Sequence, residues 1–160
     1  MKDISIQKLE KQHIHQASIL IANLHHTIIT KRKDIFIDNK EDWEEYLMQS
    51  INSNDYVSLV AIKESNIVGV CVAQVKHCGD GKETNIRDIL FIDYITVDKN
   101  YRRCNIGSKL LDEMKSIAKN IGVSSLELNV WGFNKEAIEF YNKNDMTQKR
   151  IVYEYFIDKE

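Results

Sequence analysis

The stretch Phe91–Leu111, FIDYITVDKNYRRCNIGSKLL, decides how this chain is read. Its opening continues an apolar run that begins at Ile86. A strand that is apolar at nearly every residue is covered on both faces and central to a sheet. Polar Asp98-Lys99-Asn100 ends it. The period then changes to 3.6, with Ile106, Leu110, Met114, Ile117 and Ile121 on one stripe and Gly122 as the C-terminal cap. Between strand and helix lies the turn Arg102-Arg103-Cys104-Asn105-Ile106-Gly107-Ser108, so the helix begins inside a basic segment. Free backbone N–H groups at a helix start, with the positive end of the dipole, attract an anion. Two arginines add bidentate donors for phosphate oxygens, and they are two of only five in the chain. Small Gly107 allows close approach to the backbone. The bland alternative is a surface turn with solvated arginines. Neither GxxxxGK[ST] nor GxGxxG is present, because Gly107-Ser108-Lys109 runs in the wrong order for the first.

Outward from that stretch the pattern stays regular. Upstream, Asp3–Glu10 alternates as a short strand. Ile14, Ala17, Ile21, Leu24 and Ile28 then mark a helix over His13–Thr30. The polar break KRKDIFIDNKED leads to a second helix carrying Trp43, Tyr46, Leu47 and Ile51. Tyr56–Lys63 and Val68–His77 read as a hairpin turning at Glu64-Ser65-Asn66, with a bulge at Gly69. Downstream come a strand over Ser125–Val130, a helix over Asn134–Asn142 and a final strand over Arg150–Ile157. The order β-α-α-β-β-β-α-β-α-β predicts a mixed α/β sheet in one domain spanning 1–160. The helical crossover after the long strand is expected to be parallel and right-handed.

Composition agrees. A chain of 160 residues, 43% hydrophobic and 29% charged, suits one soluble domain with a real core. A net charge of −2 speaks against a nucleic-acid binder or a basic membrane-surface protein. No apolar run approaches the ~20 residues of a membrane span, and the charged, alternating start MKDISIQKLEKQ is not a secretory leader. Cys71, Cys78 and Cys104 contain no CxxC pair, which fits a reducing cytoplasm. His13/His15 and His25/His26 do not converge on a helix face, so no metal is expected. Proline is absent, where roughly eight would be average; no functional meaning attaches to that.

Arg102-Arg103-Cys104-Asn105-Ile106-Gly107, preceded by Ile95-Thr96-Val97 and Tyr101, resembles the R/Q-x-x-G-x-G/A motif of the GNAT superfamily of N-acetyltransferases. Asn134-x-x-Ala137-x-x-Phe140-Tyr141, with Lys143 after it, is similar to that family's second stretch. The element order matches too, so the resemblance covers essentially the whole chain. It implies a central mixed β-sheet of six to seven strands flanked by about four helices. It also implies transfer of an acetyl group from acetyl-coenzyme A directly to an amine of a small molecule, polyamine or peptide. Two positions depart from the pattern. Asn105 replaces the first motif glycine; Asn tolerates left-handed angles but brings a side chain toward the diphosphate. Asp145-Met146 replaces a Gly-Phe pair, with Asn144 as the expected helix cap.

Carried over residue by residue, the resemblance gives the amides of Arg103, Asn105, Ile106, Gly107 and Ser108 to the diphosphate, with Arg102 as a charged contact. Ile95 and Val97, flanking Thr96 where the strand bulges and splays, offer backbone groups to the pantetheine arm and thioester carbonyl. Asn134 hydrogen-bonds the pantetheine, a role compatible with its plainer reading as an N-cap. Tyr141 is the general acid for the leaving thiolate, against a core tyrosine as the plainer reading. Asp93 lies on the side of Phe91, Ile95 and Val97 if its strand is regular. A lone carboxylate in an apolar strand is costly unless paired or neutralised, and burial raises its pKa toward a base's range; the resemblance makes it the residue that deprotonates the amine. A covalent route through Cys104, beside Arg103, is a weaker reading. Asp38, Glu41, Asp42, Glu44 and Glu45 either steer a cationic amine or form a solvated face. Trp131 and Phe133 line an acceptor channel or belong to the core. Two rivals stand beside the enzyme: a catalytically weak acyl-coenzyme A sensor, suggested by Asn105, and another α/β enzyme gripping a phosphorylated ligand. The exposed strand edges of such a sheet allow a homodimer.

Overall fold

In the computed structural model, which describes residues 3–38 and 40–157, the alternating stretches assemble into one sheet. β1 (Ser5–Lys8), β2 (Tyr56–Lys63), β3 (Asn66–Cys78) and β4 (Arg87–Val97) pair antiparallel in that order, and β5 (Leu126–Leu128) joins β4 in parallel. The helices are α1 (Ile14–Lys31), α2 (Trp43–Asn52), α3 (Ile106–Ile121) and α4 (Lys135–Lys143). This is the mixed α/β architecture expected from sequence, with a parallel crossover through α3 and the expected C-cap at Gly122 in the left-handed region (φ 76). The strand count is corrected from six or seven to five among the described residues. Arg150–Ile157 is not among the strands, because alternation prepares two faces but a strand exists only where a neighbour supplies its hydrogen bonds. No helix among the described residues is long and apolar enough to cross a membrane.

The chain forms two compact units, one ending at Leu128 and one starting at Asn129. All five strands and α1, α2 and α3 belong to the first. In it β3 is buried on both faces. Val70 and Val72 join Leu9, Ala17, Ile21 and Leu47 in the core beneath α1 and α2. The alternate residues of β3 turn to the other side, where α3 packs. The hairpin turns where expected, with Glu64 and Ser65 both left-handed (φ 51 and 69). Its irregularity falls one residue before the expected position: Gly69 pairs with Ala61 and Ile67 with Ile62, leaving Val68 as the extra residue.

Gly69 has a packing reason. A Cβ there would stand 3.0 Å from Leu110 Cδ1 and 3.1 Å from Ile106 Cγ2, so its absence seats the first turns of α3 on the sheet. Gly69→Val overfills that contact and is expected to cost roughly 1–3 kcal/mol, several degrees in a thermal melt. An unchanged melting temperature would show that α3 shifts freely on β3.

The position of α2 is fixed from both ends. Asp42 caps its start by accepting from the Glu45 N–H (2.9 Å). Leu47 is fully buried. The Ser58 hydroxyl of β2 donates to Ser50 Oγ (2.9 Å), whose own hydroxyl donates to Leu47 O (2.8 Å), so buried polar atoms join helix to strand without going unsatisfied.

Candidate active site

β4 is regular up to Ile92, which pairs with Ala73. The next β3 residue, Val72, pairs with Tyr94, so Asp93 is one residue more than the ladder needs. At such a bulge two consecutive side chains turn to one face. Asp93 and Tyr94 both meet α2: the Tyr46 hydroxyl donates to Asp93 Oδ2 (3.1 Å), and the Tyr46 and Tyr94 rings lie 5.5 Å apart. A regular strand would have put Asp93 beside Ile95 and Val97. The bulge sends it to the opposite face from them.

Around Asp93 the rings hold one another edge to face. Trp43 stands 5.9 Å from Tyr46 and 5.3 Å from Tyr94, and Tyr56 of β2 stands 6.4 Å from Tyr46. Burial raises the Asp93 carboxyl above the usual aspartate range, partly countered by the Tyr46 hydroxyl and the positive charge of Lys76. Burial also pushes the Tyr46 phenol far above its ordinary range, and the charge of Asp93 adds to the effect. Tyr46 therefore stays protonated, always a donor to Asp93. Sequence reasoning placed Tyr46 on its helix but missed this role; the aromatic pair at Trp43 and Tyr46, three residues apart on one helix, was the available signal.

The bulge coincides with the end of the parallel ladder. β4 pairs with β5 only as far as Ile92↔Leu128, and beyond that no ladder is described on this side of β4. The Leu90 N–H donates to Ser125 O (2.9 Å), and because the inserted Asp93 shifts the alternation by one residue, the backbone groups of Ile95 and Val97 take the same outward direction. Thr96 pairs with Val70 on the inner side, and the Asp98 N–H turns to Val68 O (2.9 Å). So among the described residues no strand pairs with the outer edge of β4 at the two residues singled out from sequence.

Past Asp98, which accepts from the Asn100 N–H (2.8 Å), a 3-10 turn over Lys99–Tyr101 delivers the basic segment. Arg103 (φ 61) and Asn105 (φ 62) are left-handed, so Asn105 takes the backbone conformation for which the motif uses glycine. Alternating conformations of this kind turn successive N–H groups into an anion-binding concavity. α3 then begins at Ile106 with no side-chain cap. Ile106 is buried against Gly69 and anchors the turn, while Arg102, Arg103, Cys104 and Asn105 are exposed. Backbone amides at an uncapped helix start beside two guanidinium groups form a donor set that fits a diphosphate.

Asn134 and Tyr141 lie in the second unit. Asn134 is the N-cap of α4, its Oδ1 accepting from the Ala137 N–H (3.1 Å), as the plainer reading had it. The Tyr141 ring stands 5.2 Å from that of Phe140, and the Tyr141 carbonyl accepts from the Asn144 and Met146 N–H groups. At the end of α4 the left-handed residue is Asp145 (φ 61), standing where the motif has glycine. Asn144 is the C-cap at an ordinary angle, and its side chain donates to Phe140 O (2.8 Å). The Trp131 and Phe133 rings stack with centroids 6.0 Å apart. In the first unit the acidic run is partly committed to structure: Asp42 caps α2 and Glu44 meets His15 Nδ1 (2.6 Å).

An α/β scaffold in which a bulged inner strand leads into an uncapped, arginine-flanked helix start is suited to a phosphorylated carrier. The model of the acetyltransferase (GNAT) family matches residues 25–146, and the chain belongs to that family, whose enzymes transfer acetyl groups from acetyl-coenzyme A. Its fold is similar to that of a mutant BH1408 protein from Bacillus halodurans, at 22% identity and TM-score 0.89 over 96% of this chain and 99% of that one. It is also similar to AAC(6')-Iy in complex with a coenzyme A bisubstrate analogue, at 14% identity and TM-score 0.74 over 98% and 99% of the two chains. Glucosamine-6-phosphate N-acetyltransferase from Arabidopsis thaliana gives 19% identity and TM-score 0.70 over 98% and 100%. At these identities the likeness is one of fold. No curated protein matches the sequence.

Proposed function

We propose that the protein is an N-acetyltransferase that moves the acetyl group of acetyl-coenzyme A directly to a primary amine. The observation that carries this reading is the insertion of Asp93 into β4 at the point where β4 loses its parallel partner. It sets a partly buried carboxylate next to an open backbone edge. The coenzyme supplies an activated acetyl thioester. The amides of Arg103, Asn105, Ile106, Gly107 and Ser108 hold its diphosphate, with Arg102 paired to the charge. Ile95 and Val97 present backbone groups to the pantetheine arm and to the carbonyl oxygen that gains charge, Thr96 keeps that segment hydrogen-bonded to β3, and the Asn134 side-chain amide adds a donor.

Asp93 takes a proton from the ammonium form of the acceptor, freeing the nitrogen lone pair. As the new N–C bond forms and the C–S bond breaks, Tyr141 gives its proton to the departing sulfur. The proton that the nitrogen sheds on becoming an amide balances the one Tyr141 regains. Acceptors of known relatives set the panel to be tried, because acetylneamine and glucosamine-6-phosphate appear in the names of similar proteins. The three free cysteines support a reducing compartment.

The first test is thermal unfolding with acetyl-coenzyme A. Ligand at a hundred times its dissociation constant stabilises by about 2.7 kcal/mol, several degrees for a domain of this size. The shift is expected to vanish at the same concentration in the Arg102→Ala/Arg103→Ala double variant. Stabilisation that survives in that variant would remove the two arginine side chains from the binding site. A panel of neamine, glucosamine-6-phosphate, spermidine and a lysine peptide, followed by thiol release, then separates an enzyme from a coenzyme A sensor, which would bind without turnover.

A further inference from the structure

We infer that Tyr46 is a positioning residue for the acceptor side of the site: by donating its hydroxyl to Asp93 Oδ2 it fixes the carboxylate and leaves Oδ1 to take the proton from the incoming ammonium. The inference rests on the assignment of Asp93 as the base. Its geometric support lies in what holds each partner. Tyr46 sits in the first half of α2, and its ring is locked edge to face by Trp43, Tyr94 and Tyr56. The helix is itself tied to β2 through buried Leu47 and the Ser50–Ser58 hydroxyl pair. Asp93 sits on a bulge, where backbone pairing alone leaves the direction of a side chain least determined. The 3.1 Å hydrogen bond from Tyr46 supplies that direction, and Oδ1 accepts no hydrogen bond among the described residues. A group that must meet a substrate is useful only when a neighbour holds it in place.

The charged and titratable groups facing Asp93 come from four elements. They are Tyr46 on α2, Lys76 on β3, Tyr56 on β2 and Tyr94 on β4 itself, with Glu41 and Asp55 acting on the last two tyrosines. Lys76, which also lies over the Phe91 ring (3.8 Å to its centroid), is the one cation in this set. A donor to a carboxylate favours the charged form, so removing the phenol hydroxyl raises the proton affinity of Asp93.

The test uses Tyr46→Phe, which keeps the ring and its packing. The Asp93 carboxylate is followed by carbon-13 NMR through a pH titration of the full chain without ligand. Its midpoint is expected to rise by about half to one pH unit in the variant. The acid limb of kcat/KM, measured with the fastest acceptor of the panel above, is expected to move by the same amount. On the plateau above that limb, kcat/KM is expected to fall about tenfold from lost aim. A midpoint that stays or falls overturns the inference. Asp93→Asn separates the two levels. If it leaves the acid limb in place, the base assignment fails and takes this inference with it. If it abolishes the limb while Tyr46→Phe moves neither midpoint nor limb, the inference about Tyr46 alone fails.

Discussion

Tyr141→Phe is expected to lower kcat by about 10²–10⁴-fold while leaving the dissociation constant of acetyl-coenzyme A unchanged. The loss belongs to one proton. In the proposed mechanism the coenzyme A thiolate is protonated as the C–S bond breaks. A phenol of pKa near 10 is matched to a thiol of pKa near 8.5 closely enough to do so. Phenylalanine keeps the ring, and with it the contact to Phe140, so α4 and its Asn134 cap are expected to survive. Steady-state thiol release and calorimetric titration read the two quantities separately. A variant that turns over at the wild-type rate would take Tyr141 out of the chemistry and return it to the plainer reading as a packing residue.

Asp93→Asn is expected to show an equally large loss, with the opposite effect on stability. Burial raises the carboxyl of Asp93 in the folded protein. Its contribution to stability is therefore fully present below the unfolded-state pKa and is lost as pH rises through the folded-state value. At neutral pH the ionised group is a burden to the fold. Asparagine can still accept from Tyr46 and carries no charge, so the melting temperature at pH 7 is expected to hold or rise while kcat/KM falls about 10²–10⁴-fold. In the wild type the same sign gives an acid limb above the usual aspartate range, activity falling as pH drops and Asp93 takes up a proton. A variant that loses stability along with activity would mark Asp93 as structural.

Much of the scaffold could be read from residue order. β2 runs from Tyr56 to Lys63, as the alternation there predicts, and α3 ends at Gly122 because the apolar stripe and the glycine agree. The basic turn was equally legible, since its arginines, glycine and helix start are contiguous. Asn105 was expected to tolerate the left-handed region and does occupy it. What escaped has a physical cause in each case. The site of the β4 bulge depends on register against β3, and a strand apolar on both faces carries no period-2 signal to fix it. The Tyr46–Asp93 hydrogen bond joins positions far apart in sequence on elements of different kind, so no spacing announces it. Arg150–Ile157 alternates as a strand should, yet alternation says nothing about whether a partner is at hand.

The register around Asp93 has one more consequence. Ile92 and Tyr94 pair with neighbouring residues of β3, Ala73 and Val72, and point to opposite faces as consecutive residues do. With Asp93 deleted, the ladder would close without a gap, and every other side chain of β4 would keep its face. The carboxylate is thus a guest in a strand that is complete without it. If Asp93 is the base proposed above, chemistry and architecture come apart at a single codon, and a chain shortened by that one residue is the control for that role.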